Sequence, residues 1–285
     1  MSIISKELAK KFLDDPDNVD ISEATEITDE VAEILSKHHG YLNLNGLTKI
    51  SGAAAESLSK HEGELNLDGL TKLSDGAAES LSKHKGILYL GDLTELSDAA
   101  AESLSKVMGS LTLGLAELSD ASAESLSNAQ GWESSGFWYD IIADTERPSS
   151  LALRLNGLTE LSDAAAESLS RHKGGLTLDG LTNLSDAAAE SLSKYQGSLN
   201  LWGLRELSDA AAESLSKHQG DLSLGTPGSV GDGNQIQLSH AAAKSLSRHQ
   251  SWSSIQRSLG FDHPIVRWFA EFKKFKNQPE LPGLS

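Results

Sequence analysis

Leucine recurs along the chain in a pattern that changes its spacing halfway through each unit. The unit reads L-x-L-x-G-L-T-x-L-S-D-A-A-A-E-S-L-S-K-H-x-G-x, and one of its leucines returns every 23 residues, at Leu47, Leu70 and Leu93 and again at Leu158, Leu181 and Leu204. The L-x-L segment alternates apolar and polar residues, which is typical of a half-buried strand. The leucines that follow at spacings of three indicate a tight turn back into the core.

The second half of each unit predicts a short helix. In the copy that begins at Leu199, Ser208 is placed to cap the helix and Asp209 to lie in its positive first turn. The helix is expected over Ala210 to Ser216. Gly220 is expected to take the left-handed conformation that ends it.

Nine copies of the unit follow one another. A degenerate copy begins at Val19, the copy at Leu111 is one residue short, and the last copy, from Leu222, carries an insertion. Full copies begin at Leu42, Leu65, Leu88, Leu153, Leu176 and Leu199. One copy cannot bury its own apolar side, whereas stacked copies can. The sequence therefore predicts an α/β solenoid with one parallel β-sheet face, one row of short helices and helical caps at both ends.

The unit resembles leucine-rich repeats, especially the bacterial BspA-like class with its 23-residue unit. The resemblance covers about residues 19–250 and lies in the L-x-L strand, the apolar spacings of three and the Ala-rich helix. The Pro, Phe and Cys usual in that class are absent from the unit, and Leu181 and its equivalents replace the Asn ladder of eukaryotic repeats. The resemblance implies a leucine-rich-repeat solenoid and a binding or adhesion scaffold, without a specific activity.

Breaks in the repeat divide the chain into five segments. We expect an N-terminal helical cap over 1–18, five repeats over 19–131, an aromatic insertion over 132–152, four repeats over 153–250 and a C-terminal cap or tail over 251–285. A loop insertion at about 225–234 interrupts the last repeat. The loop is Gly-rich but matches neither a phosphate-binding loop nor a calcium-binding loop.

The charge of the chain limits the classes of partner that it can bind. The formal net charge is -17, so the average surface repels nucleic acid and anionic membranes. The stretch from Lys244 to Lys276 is the exception, with seven basic residues against two acidic ones. No Cys, secretory leader or long apolar run is present, so we expect a soluble, cytoplasmic protein that is monomeric alone.

Two columns of repeated residues imitate functional clusters. His38, His61 and His84 share one column with three later histidines, but Val107, Ala129 and Tyr195 occupy the same place, so packing at the helix ends is favoured over metal binding. A column of Glu residues, each four positions before Lys or Arg, predicts helix-surface ion pairs rather than acid–base chemistry. We therefore predict no cofactor, no metal and no enzymatic activity.

Departures from the repeat carry the candidate binding residues. The insertion is rich in aromatic residues, which either anchor a partner or plug a discontinuity in the solenoid: Trp132, Phe137, Trp138 and Tyr139. The tail predicts a basic amphipathic helix over 262–278, which either caps the solenoid or docks a partner, with Trp268, Lys273 and Lys274. Variable strand residues form a third candidate surface, and its large members are Tyr41, Tyr89, Arg154 and Trp202.

These features favour a protein-interaction scaffold, an adaptor or a subunit of a larger assembly, with another protein as its partner. The alternative is a nucleic-acid-linked accessory protein, in which the basic tail contacts nucleic acid or the acidic body imitates DNA. No membrane interaction is expected.

Overall fold

The chain folds as a parallel-stranded solenoid, in a computed structural model that describes residues 2–129, 152–225, 236–259 and 266–267. Eight strands form one parallel sheet in sequence order. Their bounds are β1 His39–Asn43, β2 Glu62–Asn66, β3 Leu88–Leu90, β4 Leu111–Leu113, β5 Ala152–Leu155, β6 Gly175–Thr177, β7 Leu199–Leu201 and β8 Leu222–Leu224. The predicted α/β solenoid with one parallel β-sheet face and a series of short helices is confirmed.

A row of short helices lies on the other side of the sheet. Within the described residues the helices are α1 Lys6–Asp14, α2 Asp29–Leu35, α3 Gly52–Leu58, α4 Asp75–Leu81, α5 Asp98–Leu104, α6 Asp120–Ser127, α7 Asp163–Leu169, α8 Asp186–Ser193, α9 Asp209–Leu215, α10 His240–Leu246 and α11 Trp252–Leu259. The repeat helices begin as their sequence predicts, because the hydroxyl of a preceding Ser accepts an early backbone N–H. At α9, for example, Ser208 Oγ accepts from Ala211 N at 2.9 Å.

The core consists of stacked columns of identical small and branched side chains. In each L-x-L segment the two Leu residues are buried, as at Leu65 in β2 and Leu67 just after it. Helices α3 to α5 and α7 to α10 each bury two consecutive Ala residues, as at Ala77 and Ala78 of α4, whereas α2 and α6 bury one Ala next to Val31 or Ser122. Small side chains at these positions let adjacent helices lie close together.

A ladder of hydrogen bonds joins the first turns of neighbouring helices. The Ser that caps one helix donates its hydroxyl to the Asp that opens the preceding helix, as in Ser119 to Asp98 at 2.6 Å. The same bond crosses the insertion between Ser162 and Asp120, at 2.5 Å. Each of these Ser hydroxyls therefore caps its own helix and ties it to the one before.

Gly52 interrupts this ladder, because it takes the place of Asp at the start of α3. A Cβ at Gly52 would meet nothing within 4 Å. We expect Gly52→Asp to raise the free energy of unfolding by about 1 kcal/mol, since it removes a helical Gly and adds a carboxylate at the helix N-terminus, within reach of the Ser74 hydroxyl. Urea unfolding measures the gain, and Gly52→Ala is the control. If the Asp and Ala variants are equally stable, the carboxylate contributes nothing.

The first repeat departs from the sequence prediction, because residues 19–22 add no strand to the sheet. Asp20 instead folds its carboxylate back onto the N–H of Ser22, at 2.8 Å. The segment still packs, with Val19 and Ile21 buried. It also joins the next coil through the N–H of Gly46 and the carbonyl of Ser22, at 2.8 Å.

The expected left-handed conformation of Gly220 is wrong. Gly40, Gly63, Gly174 and Gly225 are the described glycines with positive φ, and Gly220 is not among them. A Cβ at Gly220 would lie 2.0 Å from the carbonyl oxygen of Gly197 in the preceding coil. The glycine is therefore required by the close approach of two coils, and not by the end of the helix.

The two ends of the solenoid are covered by helices. At the N-terminus α1 packs against α2 and buries Ala9 and Phe12. At the other end α11 contacts β8 and buries Trp252 and Ile255. The tail helix expected over 262–278 lies outside the described residues, apart from Val266 and Arg267, which are helical.

The sheet runs without a break past the insertion. Strands β4 and β5 pair directly, with Leu111 opposite Leu153 and Thr112 opposite Arg154. The described chain ends its fifth repeat at Ala129 and resumes at Ala152 in β5. The sheet and the Ser–Asp ladder therefore continue across the insertion, and the insertion's roles as a plug or as a partner anchor both stay predictions.

Candidate functional site

The outward side of the sheet is the surface that varies between repeats. We call it the sheet face: the central strand residue that lies between the two buried Leu residues of each unit, together with the residues two positions before and two positions after it. Parallel pairing aligns its central column from one strand to the next. In order along the sheet this column is Asn43, Asn66, Tyr89, Thr112, Arg154, Thr177, Asn200 and Ser223.

Two tyrosines on the N-terminal part of this face are held by hydrogen bonds between strands. Asn66 Nδ2 donates to the hydroxyl oxygen of Tyr41 at 3.0 Å, and the Tyr89 hydroxyl donates to Glu64 Oε2 at 3.1 Å. Burial, with the nearby Glu64 carboxylate, raises the pKa of Tyr89 to about 12. Tyr89 therefore remains a hydrogen-bond donor at neutral pH, while the Tyr41 side chain stays accessible at 51% exposure.

Arg154 lies at the centre of the face, between two threonines. Thr112 is its neighbour on β4 and Thr177 its neighbour on β6. Thr112 is only 7% exposed, and its Oγ1 has no hydrogen-bond partner. This part of the face therefore combines the Arg154 guanidinium with a neighbouring hydroxyl that makes no hydrogen bond.

Asp179 and Trp202 occupy the next column toward the ends of the strands. Burial raises the pKa of the Asp179 carboxyl, and the main chain at Trp202 and the charge of Arg154 oppose that rise. Trp202 is 37% exposed. An aromatic surface and a carboxylate therefore flank Arg154 on its C-terminal side.

Four of the predicted site residues come together in this way: Tyr41, Tyr89, Arg154 and Trp202 share one face. The other seven lie outside the described residues, namely Trp132, Phe137, Trp138, Tyr139, Trp268, Lys273 and Lys274. Sequence reasoning missed Thr112 and Thr177. Their signal was present, because each occupies the same position in the L-x-L unit as Arg154, one strand before and one strand after it.

The His column forms stacked rings at the helix ends. His38, His61 and His84 lie with ring centroids 5.9 and 6.1 Å apart and nearly parallel planes. His61 Nε2 lies 3.0 Å from the carbonyl oxygen of Gly40, and His84 Nε2 lies 3.2 Å from that of Gly63. The ring nitrogens bond to the preceding coil instead of converging on one point, and no metal-binding group of three or more ligands occurs in the described residues.

The outer side of the helix row carries the predicted ion pairs. Glu and the basic residue four positions later approach within 4 Å at five places. The pairs are Glu56–Lys60, Glu102–Lys106, Glu167–Arg171, Glu190–Lys194 and Glu213–Lys217. All are solvent-exposed, so each adds little to stability, but together they pair positive with negative charge on this surface.

Within the described ranges, no helix has the length and apolar character needed to cross a bilayer.

No protein-family model matches the chain, and no curated protein matches it. One solved structure that is similar is an internalin (inlF) from Listeria monocytogenes, at 16% sequence identity. The alignment covers 79% of this chain and 63% of the internalin chain, with a TM-score of 0.41. This chain therefore spans less than two thirds of the internalin, and its fold is established by its own strand order and register.

Proposed function

We propose that the chain is a non-catalytic protein-interaction scaffold, adaptor or subunit whose partner lies across the sheet face. The observation that carries the proposal is the arrangement of Tyr41, Tyr89, Arg154 and Trp202 on one rigid sheet. Tyr, Trp and Arg dominate the energetics of protein interfaces. Side chains fixed in advance also lose less conformational entropy when a partner binds.

The opposite surface supports the same choice. Five Glu residues of the helix row pair with the Lys or Arg four positions later, and the helices begin at Ser caps. Polar groups that already have partners gain little from a further contact. The sheet face, by contrast, carries the Arg154 guanidinium, which has no hydrogen-bond acceptor among the described residues.

The insertion and the tail are proposed as additional contacts to the same partner. The insertion returns to the described chain at Ala152, two positions before Arg154 in β5. The aromatic residues proposed for this contact are Trp132, Phe137, Trp138 and Tyr139. The tail would contribute Trp268, Lys273 and Lys274 at the C-terminal end.

Site-specific photo-crosslinking in the source cells tests the use of the face. A benzophenone amino acid placed at Thr177, on the face, is expected to capture a discrete protein partner. The same group at Ala187, exposed on the outside of α8, is the matched control. Equal crosslinking from both positions, or from Ala187 alone, would refute the sheet face as the docking surface.

A nucleic-acid-linked role is the second candidate, and it rests on the basic composition of the stretch from Lys244 to Lys276. Contacts between Lys or Arg and phosphates give an affinity that falls steeply as salt rises. Titration of fluorescent duplex DNA at low and moderate salt tests it, with a chain truncated after Gln250 as the control. If the intact chain does not bind DNA even at low salt, a direct contact through the tail is eliminated.

A further inference from the structure

Arg154 differs from every other residue of the eight strands. It is the only Arg or Lys that any of the described strands contains. The positive charge therefore lies alone at the middle of the sheet face. The carboxylates on that face are Glu64, Asp68, Asp179 and Asp221.

The guanidinium of Arg154 makes no hydrogen bond or close ion pair with another described residue, although the side chain is half-buried. Glu64 accepts the Tyr89 hydroxyl, and Asp179 accepts from the main chain at Trp202. The charge of Arg154 does act on the Asp179 carboxyl, where it opposes the rise in pKa that burial causes. The N–H donors of the guanidinium therefore have no acceptor among the described residues and are free to bind one from outside.

Two threonines lie beside Arg154 on the adjacent strands. Thr112 and Thr177 are in register with it. The Thr112 hydroxyl is shielded from solvent and has no acceptor, whereas Thr177 is partly exposed and can donate one hydrogen bond to a ligand. The guanidinium itself has a fork of N–H donors that matches the two oxygens of a carboxylate, which accept bidentate hydrogen bonds.

We propose that Arg154, with the partly exposed hydroxyl of Thr177 beside it, anchors a carboxylate side chain on an extended segment of the partner protein. The inference rests on the proposed function, because it assumes that the partner lies on the sheet face. The exposed rings of Tyr41 and Trp202 lie toward opposite ends of the face, so apolar residues of the partner segment flank the acidic one.

The charge of the rest of the chain favours a single carboxylate over a polyanion as the ligand of Arg154. The net charge is -17, and four carboxylates lie on the same face as the single Arg. A nucleic acid would bring many phosphates against those carboxylates, whereas one Asp or Glu brings a single charge to the one cation. The site therefore favours an isolated acidic side chain among neutral or basic residues.

Selection of peptides from a random displayed library, on the immobilised full-length chain, tests the anchor. The wild-type chain is expected to enrich peptides with Asp or Glu at one fixed position. The affinity of a selected peptide should weaken about 30-fold or more for Arg154→Ala, as for an interface anchor residue. Arg171→Ala, on the helix row, should change it less than about twofold, since exposed pairs contribute little.

Charge reversal gives the sharper readout. Selection on Arg154→Glu is expected to exchange the acidic position for Lys or Arg. Circular dichroism and urea unfolding show whether each variant is folded. If the peptides selected by the wild-type chain carry no preferred acid and bind Arg154→Ala equally well, the anchor is refuted.

The failures of the two proposals are distinguishable. Peptides that lose affinity with Trp202→Ala but not with Arg154→Ala would overturn the carboxylate anchor and leave the sheet face as the binding surface. Peptides indifferent to Trp202→Ala, Arg154→Ala and a blocking Thr177→Trp variant would count against the face itself. Displacement of the peptides by millimolar inorganic phosphate, with direct phosphate binding, would replace the carboxylate anchor by a general anion site.

Discussion

Acidification from pH 7 to pH 4.5 is expected to remove several kcal/mol from the free energy of unfolding of this protein. Burial lowers the pKa of His61, His84, His172, His218 and His249, and that of His84 falls to about 4. Protonation would place a charge inside the stack and a proton on Nδ1, which has no acceptor at His61, His84 and His218. Neighbouring rings about 6 Å apart would also repel each other once charged.

The direction follows from the difference between the folded and unfolded states. An unfolded His takes up a proton near pH 6.5, whereas the folded residue does so only at its lowered pKa, so the unfolded state binds more protons between these values. Stability is therefore complete above about pH 6.5 and falls as the pH decreases toward 4. For His84 alone the loss approaches about 3 kcal/mol.

Urea unfolding at a series of pH values from 8 to 4.5 measures the effect. His84→Val, which introduces the residue found at the same place in the next repeat, should reduce the slope of stability against pH between 6.5 and 4.5. His39→Gln is the control, because His39 lies exposed at the edge of β1. A melting temperature that stays constant between pH 8 and 5 would contradict the role of the stack.

The repeat made the architecture predictable, because each unit carries its strand, turn and helix signals in a fixed order. The capping role of Ser208 followed from local sequence alone. Its second bond, to Asp186 in the preceding helix, did not, because that contact exists only once the coils are stacked in register. The conformation of Gly220 was misjudged for the same reason: the helix end is visible in the sequence, and the neighbouring backbone is not.

The sheet face also combines features that the local sequence predicts with features that depend on how the coils stack. Arg154 stood out in the sequence as a large residue at a variable strand position. Its significance depends on Thr112 and Thr177, which lie 42 positions before it and 23 positions after it and become neighbours only through the strand register. The aromatic insertion and the tail have no repeat partner at all, so no periodicity predicts where their side chains lie.

The stacking of coils also explains why the two surfaces of this solenoid can serve different purposes. The Ser–Asp bonds, the His stack and the Glu–Lys pairs all lie away from the sheet face, on or between the helices and their ends. Stability is therefore maintained by residues that need not change when the face changes. Substitution of Arg154 leaves the Ser–Asp bonds, the His stack and the Glu–Lys pairs unchanged, whereas substitution of Tyr41 also removes its hydrogen bond with Asn66 on the next strand.

A methyl group at Gly86 is expected to disrupt that stacking and to split the unfolding of the solenoid into two transitions. The Cβ of Gly86→Ala would lie 1.7 Å from the carbonyl oxygen of Gly63 and 2.9 Å from His84 Nε2. The backbone of the coil must move to relieve this contact, and the movement breaks the bond between His84 and the same carbonyl. We expect a loss of about 3 kcal/mol, at the upper end of the usual cost of overpacking.

The split follows because each repeat of a solenoid contacts only its neighbours. Weakening the junction between β2 and β3 leaves the N-terminal coils supported from one side only, so they should unfold at lower urea than the rest. Hydrogen exchange should accordingly rise in α1 to α4 before it rises in α7 to α10. Gly76→Ala in α4 is the matched control, since its Cβ meets nothing within 4 Å and helices α3 and α5 to α10 carry Ala there. It should stabilise the chain by about 0.5–1 kcal/mol. If Gly86→Ala unfolds in one transition at the wild-type urea concentration, the close contact between Gly86 and Gly63 is not needed for these two coils to stack.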